Sequence, residues 1–201
     1  MLRGMRRLSA GLVSDWLVVF LRTLGAAFAP DGGSRARALL FWLVRLNGGL
    51  TAELRADLNL WPIYQSLPLR ARPRLLGEMT TAALLALGVG WLGLLAASLT
   101  GFSAAGWQAA ALLPFVVLAA AYAAAFDVLR QAKADQLLSG SVPGPGFTAV
   151  LLGGLTLAAL VSLLAFFQGS LFGPLPALLA GVLAVAWLRS LAERGYRRLG
   201  Q

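Results

Sequence analysis

The chain contains no histidine and no cysteine. It therefore has no imidazole or thiolate to bind a zinc ion, a haem or an iron–sulfur cluster. The absence of thiols also excludes disulfides and a cysteine nucleophile. Redox chemistry and His- or Cys-dependent chemistry are thus excluded. We also predict no metal site, no cofactor and no catalytic residues, and the chain is not expected to be an enzyme, because no nucleophile–base pair or carboxylate cluster is expected to converge near the membrane surface.

Charged residues are also scarce, at 12% of the chain against 59% hydrophobic residues, and the mean hydropathy is +0.77. Residues 79–126 and 136–188 contain no charged side chain at all. Each block is about twice the roughly 20 residues that one helix needs to cross the hydrocarbon of a bilayer. Backbone groups in lipid must bond within their own segment. The composition therefore predicts an all-α integral membrane protein with a helical hairpin in each block.

Four firm transmembrane helices are expected, arranged as two hairpins. Their predicted ranges are residues 80–100, 109–128, 147–167 and 175–191. Pro114 is expected to kink the second span, because proline removes a helical hydrogen bond. Pro174 and Pro176 are typical of a first helical turn and mark the start of the fourth span.

The excess of basic residues, with a net charge of +9, is interpreted as a topology signal and not as a nucleic-acid surface. Basic clusters flank the outer ends of both hairpins, whereas the loops within the hairpins carry no charge. The clusters are Arg70, Arg72 and Arg74; Arg130 and Lys133; and Arg189, Arg194, Arg197 and Arg198. This pattern predicts a multi-pass protein with both termini in the cytoplasm, the last ten residues, 192–201, forming a basic tail.

The first 50 residues are expected to form amphipathic or weakly inserted helices. Residues 12–29 are apolar, but Asp15 and Arg22 lie on one stripe, which suits either a helix at the membrane interface or a span whose charges face protein. Residues 35–46 are too short to span comfortably before a break at Asn47-Gly48-Gly49. If both segments crossed, the total would be six spans with the same cytoplasmic ends.

Residues 51–79 are predicted to be a cytoplasmic segment that precedes the transmembrane domain at residues 80–191. The segment begins as an amphipathic helix with Leu54, Leu58 and Trp61 on one face. Glu53 and Asp57 lie among the polar residues on the other faces. Three prolines then divide the rest of the segment into short pieces, which cannot cross a membrane.

This segment resembles the first cytoplasmic loop of ABC-2-type transporter permeases, including the ABC exporters. The matching features are an acidic amphipathic stretch, a Ser66-Leu67-Pro68-Leu69 turn, the basic residues 70–74 and Gly77-Glu78 before the next span. The close match covers about 28 residues, and the motif is degenerate. Family permeases have six clear spans and are longer. Either residues 12–29 and 35–50 are the two missing spans in weakened form, or the chain is a half-length or split form.

The resemblance implies a permease subunit of an exporter in the bacterial cytoplasmic (inner) membrane. Its 53–65 helix would dock on a soluble ATP-binding subunit, and Arg70, Arg72 and Arg74 would anchor the segment at the membrane surface. The chain has no Walker-type phosphate loop of its own. A second copy of the chain or a second permease subunit is a further possible partner. The alternative hypothesis is a non-catalytic structural or assembly subunit of a larger membrane complex.

These two hypotheses differ in what they require of the apolar face of the 53–65 helix. A permease would leave that face uncovered for its partner, whereas a structural subunit would bury it on its own spans. Tyr122 and Gln168 are candidates for a substrate path, with simple packing and loop positions as the alternatives. Asp127 and Arg130 are either a functional pair or a solvated helix end. Rows of small residues, such as Ala119 with Ala123 and Ala158 with Ser162, predict close helix contacts.

Overall fold

The computed structural model describes residues 41–44, 46–50, 54, 58, 71–98, 104–131, 146–167 and 174–199. All regular structure within them is α-helical. The four long helices are α1 (Ala71–Ser98), α2 (Ala104–Gln131), α3 (Phe147–Phe166) and α4 (Leu175–Leu199). The helical residues 41–44, 46–50, 54 and 58 are called the N-terminal helical segment below. The predicted helix at residues 12–29 lies outside the described residues.

Three helices are long and apolar enough to cross a membrane: Ala111–Gln131, Phe147–Phe166 and Leu175–Gly195. The apolar part of α1 is shorter and covers Met79–Gly93. The prediction of an all-helical chain with apolar helices of membrane-spanning length is thus confirmed for the part of the chain that the structure describes.

Prolines mark the helix start that the sequence predicts for α4. This helix begins at Leu175, and the carbonyl of Pro174 accepts a bond from the N–H of Leu178 at 3.0 Å. Pro176 occupies the second helical position, where a missing N–H is tolerated. Pro114 lies inside α2, which continues to Gln131.

Helix α2 is the centre of the bundle, because it packs against α1, α3 and α4. In an apolar stretch of 18 residues in α2, 72% of the residues are buried, against 17% in the corresponding stretch of α3 and 22% in that of α4. Residues 119–125, which are six alanines and Tyr122, are all buried. A helix buried on every side has neighbours all round it, and small side chains allow those neighbours to come close.

Helices α1 and α2 run antiparallel. Near the start of α1, the Thr80 hydroxyl lies 3.2 Å from the hydroxyl of Tyr122. Further along, a β-carbon at Gly90 would lie 2.8 Å from Leu113 Cδ2. Positions later in α1 therefore meet positions earlier in α2.

Helices α2 and α4 run parallel. A β-carbon at Gly181 would lie 2.7 Å from Phe115 Cγ, and one at Gly195 would lie 3.3 Å from Leu129 Cβ. The contacts advance together along both helices. Because α3 starts beside the end of α2, one end of the bundle holds the start of α1, the end of α2, the start of α3 and the end of α4. We call this the proximal end.

The N-terminal helical segment packs one leucine stripe into the core. Its buried leucines recur every three or four residues: Leu43, Leu46, Leu50, Leu54 and Leu58. A β-carbon at Gly153 of α3 would lie 3.3 Å from Leu43 Cδ1, so this stripe contacts α3.

The break predicted at Asn47-Gly48-Gly49 is wrong, because residues 46–50 are helical. Asn47 is buried, and a β-carbon at Gly48 or Gly49 would meet nothing within 4 Å. Each glycine costs a helix about 1 kcal/mol relative to alanine. The buried leucines on either side outweigh that cost, which local sequence reasoning cannot weigh.

Large apolar side chains are exposed on the outer faces of α1, α3 and α4. The most exposed include Leu84, Leu92, Leu155, Phe166, Leu179 and Leu183. Such a surface is unusual for a protein in water and is typical of contact with lipid. Of the predicted small-residue pairs, Ala119 and Ala123 are buried in the helix packing, whereas Ala158 and Ser162 are exposed on the outer face of α3.

Candidate functional site

The most distinctive polar group in the described residues is Asp127, near the end of α2. Its side chain is 0% exposed. Oδ2 accepts a hydrogen bond from the backbone N–H of Ala149 at 3.3 Å, and Oδ1 accepts one from Gln131 Nε2 at 2.9 Å. The interpretation of Asp127 as part of a solvated helix end is therefore wrong, although Arg130 is exposed. Asp127 and Arg130, which both belong to the described part of the chain, form no ion pair with each other.

Asp127 supplies a cap that α3 lacks in its own sequence. The N-cap residue of α3 is Gly146, which has no side chain to bond the free N–H groups of the first turn. Ala149 is the third residue of that helix, and its N–H is the usual target of a capping oxygen. A carboxylate on α2 thus takes the place of an N-cap side chain and also meets the positive end of the α3 dipole.

Glycine at position 146 makes room for this arrangement. A β-carbon there would lie 2.6 Å from Asp127 Oδ2 and 3.2 Å from Asp127 Cγ, and it would also overlap Gln131 Nε2. The backbone of Gly146 is extended, with φ −85°, a conformation that any residue can adopt. Position 146 therefore requires glycine because a β-carbon has no space there, and not because of its backbone conformation.

Sequence reasoning did not assign roles to Gly146 and Gln131, but a signal was present. A predicted span that starts directly after glycine, with no Ser, Thr, Asp or Asn at the cap position, needs a partner from elsewhere. Asp127 is the only acidic residue inside the four firm predicted spans. Pairing the uncapped helix with the unexplained carboxylate would have found the contact.

Tyr122 forms a second polar contact in the core. It is buried on α2, and its hydroxyl and that of Thr80 on α1 share a hydrogen bond of 3.2 Å. This contact ties two helices together near the proximal end. The structure places Tyr122 inside the helix packing, and Gln168, the other residue of the predicted substrate path, lies outside the described residues.

Replacing Tyr122 with phenylalanine is expected to lower the free energy of unfolding by about 1 kcal/mol, because it removes one internal hydrogen bond. Thermal unfolding of the purified protein in detergent measures the change. A double-mutant cycle with Thr80→Val isolates the pair. Additive losses in the double variant would show that the two hydroxyls do not interact.

Two members of the predicted docking face lie in the core. Leu54 is 2% exposed and Leu58 is 0% exposed, and both belong to the same buried cluster as Met79 and Val117. The remaining predicted docking residues, Glu53, Asp57 and Trp61, lie outside the described residues. The apolar face is therefore covered at two of its three positions.

The predicted membrane-surface arginines begin α1. Arg72 and Arg74 lie in its first turn, and Arg70 directly precedes the helix, outside the described residues. Because α1 starts at the proximal end, these arginines share that end with Arg130 and with the end of α4.

The described residues contain no group of three or more His, Cys, Asp or Glu side chains that could hold a metal ion. Asp127 accepts hydrogen bonds from the Ala149 N–H at the start of α3 and from the Gln131 amide, so its role is structural. The class that these observations define is a helical protein with three helices able to span a membrane. No family model, no curated protein and no solved structure matches the chain.

Proposed function

We propose that this chain is a non-catalytic structural or assembly subunit of a larger membrane complex. The observation that supports this function is the burial of Leu54 and Leu58 within the chain's own core. A docking helix has to offer its apolar face to a partner, and a face that is already covered has little free energy left to give. Two polar groups of the core, Asp127 and Tyr122, join helices to one another.

The proposal includes four spans as two hairpins in a bacterial inner membrane, with both termini in the cytoplasm. Its support is the proximal end, which gathers Arg72, Arg74, Arg130, Arg194 and Arg197 on one side of the bundle. Arginine-rich ends are retained in the cytoplasm during insertion.

The absence of native cysteine makes this topology directly testable. Single cysteines at positions 72, 104 and 171 can be labelled in intact cells with a reagent that does not cross the membrane. We expect labelling at 104 and 171 and none at 72 until the cells are opened. Labelling of 72 together with 104 or 171 in intact cells would contradict the proposed topology.

A permease subunit of an ABC-2-like exporter is the second candidate function. The observation that favours it is the sequence motif of residues 51–78, whose last eight residues form the start of α1. In this case the polar residues Glu53 and Asp57, and not the buried leucines, would have to contact the ATP-binding subunit.

Purification of the full chain in mild detergent distinguishes the two functions. A structural subunit is expected to retain integral membrane partners at fixed stoichiometry, and those partners are expected to decline in abundance when the chain is deleted. The permease hypothesis requires a nucleotide-hydrolysing subunit that is lost from an E53A/D57A variant but kept by the matched control R55A/N59A. That result would overturn the proposed function. Leu58→Asp is unsuitable as a test, because it would place a charge in the core.

A further inference from the structure

The proximal end carries exposed arginines from two helices that lie side by side. Arg130 is the second-to-last residue of α2, and Arg189, Arg194 and Arg197 lie in the last part of α4. All four are exposed. The contact between Leu129 and Gly195 brings the two helix ends together, so Arg130 is close to the last turns of α4.

The last turns of α4 have a buried face and a basic face. Leu188, Ala192 and Gly195 are buried and pack towards α2, with Gly195 against Leu129. The arginines occupy the other side. Packing therefore fixes which way the basic residues point, namely away from the bundle.

The acidic side chains described near this end leave an excess of positive charge. Asp127 is buried against the start of α3, and Glu193 bonds Arg189 through its Oε1 at 3.2 Å. Within the part of the chain that the structure describes, no acidic side chain forms an ion pair with Arg130, Arg194 or Arg197.

The position of these arginines along α4 matches the depth of a bilayer interface. At ~1.5 Å of rise per residue, Arg194 lies roughly 28 Å and Arg197 roughly 33 Å from Leu175. The hydrocarbon of a bilayer is ~30 Å thick. With Leu175 at the opposite boundary, both arginines reach the headgroup layer. Arg189 lies deeper, and its side chain bonds Glu193 one turn nearer to that layer, as a snorkelling arginine does.

We propose that Arg130, Arg194 and Arg197 form a binding surface for the phosphate groups of anionic phospholipids in the surrounding membrane. Guanidinium groups bind phosphate oxygens through paired N–H donors. Each basic residue at an anionic membrane surface contributes about a fivefold gain in binding. This surface goes beyond the structural function proposed above, and it does not depend on which complex the chain joins.

Native mass spectrometry of the full chain in detergent tests the surface. The protein is mixed with equal amounts of phosphatidylglycerol and phosphatidylcholine that carry the same acyl chains. We expect retained phosphatidylglycerol to exceed phosphatidylcholine, and we expect the R130Q/R194Q/R197Q variant to lose at least tenfold of that preference. The R130K/R194K/R197K variant keeps the charge and is expected to keep most of the preference for phosphatidylglycerol.

A control variant, R189Q/E193Q, replaces the ion pair on the same part of α4 and leaves the net charge of the chain unchanged. It is expected to retain the preference for phosphatidylglycerol. Three results would overturn the proposal: no preference in the natural chain, an undiminished preference in the R130Q/R194Q/R197Q variant, or an equal loss in the control. The melting temperature of each variant shows whether it is folded. Partner retention in the purification described above is a separate readout, so failure of one proposal leaves the other distinguishable.

Discussion

Replacing Gly181 with valine is expected to force α4 away from α2 and to lower the free energy of unfolding by about 3 kcal/mol. A β-carbon at this position would lie 2.7 Å from Phe115 Cγ and 2.9 Å from Phe115 Cβ. The Cβ of Phe115 is fixed by its backbone, so a rotamer change cannot relieve the clash. Overpacking of a close helix contact costs about 1 to 3 kcal/mol, and Gly181→Ala is expected to fall at the lower end. The melting temperature in detergent measures both changes.

Gly88 on α1 provides the matched control for this substitution. It is exposed, and a β-carbon there would meet nothing within 4 Å. Gly88→Val therefore makes the same chemical change in a helix without a clash, and it is expected to leave stability nearly unchanged. Equal losses at positions 181 and 88 would mean that the contact with Phe115 is not responsible.

Removal of the Asp127 carboxylate is expected to loosen the start of α3. Asp127→Ala leaves the N–H of Ala149 buried without its acceptor, and such a group costs about 1 to 3 kcal/mol. The favourable interaction with the helix dipole is lost as well. We expect a fall of about 2 kcal/mol in the free energy of unfolding and faster hydrogen exchange in residues 147–150. Asp127→Asn keeps one oxygen acceptor, so its free energy of unfolding is expected to lie between those of the natural chain and Asp127→Ala.

Two further variants distinguish capping from general damage at this end of the bundle. Gly146→Ala is expected to reproduce the loss of Asp127→Ala, because the new methyl group displaces the carboxylate. Arg130→Ala alters an exposed residue one turn away and is expected to leave exchange at residues 147–150 unchanged. Protection that persists in Asp127→Ala would show that the carboxylate does not cap α3.

Much of the helix layout could be predicted because it depends on local composition. Apolar length, together with glycine and proline at helix ends, places the starts of α3 and α4 at Phe147 and Leu175, as the structure has them. Contacts between distant residues could not be predicted in this way. The helix through Asn47 is stabilised by buried leucines, of which Leu43 reaches α3. The burial of Asp127 depends on an N–H that is 22 positions away.

The candidate site shows the same division between local and distant signals. The spacing of Leu54 and Leu58 correctly indicates that they share one helix face, but periodicity does not reveal what covers it. In the folded structure both leucines lie in the chain's own core. The sequence likewise shows Tyr122 as a polar residue in an apolar span, whereas its bond to Thr80 depends on how α1 and α2 align.

The alanine-rich centre of α2 has a consequence for biosynthesis. The ribosome makes this helix before α3 and α4, which later cover it. Until they arrive, its small methyl groups can rest against acyl chains at little cost, since lipid is as apolar as the final neighbours. Acyl chains offer no hydrogen-bond donor to the Asp127 carboxylate, so its bond from the Ala149 N–H forms after the start of α3 has been made. The last polar contact of α2 thus forms only once the following span has been delivered.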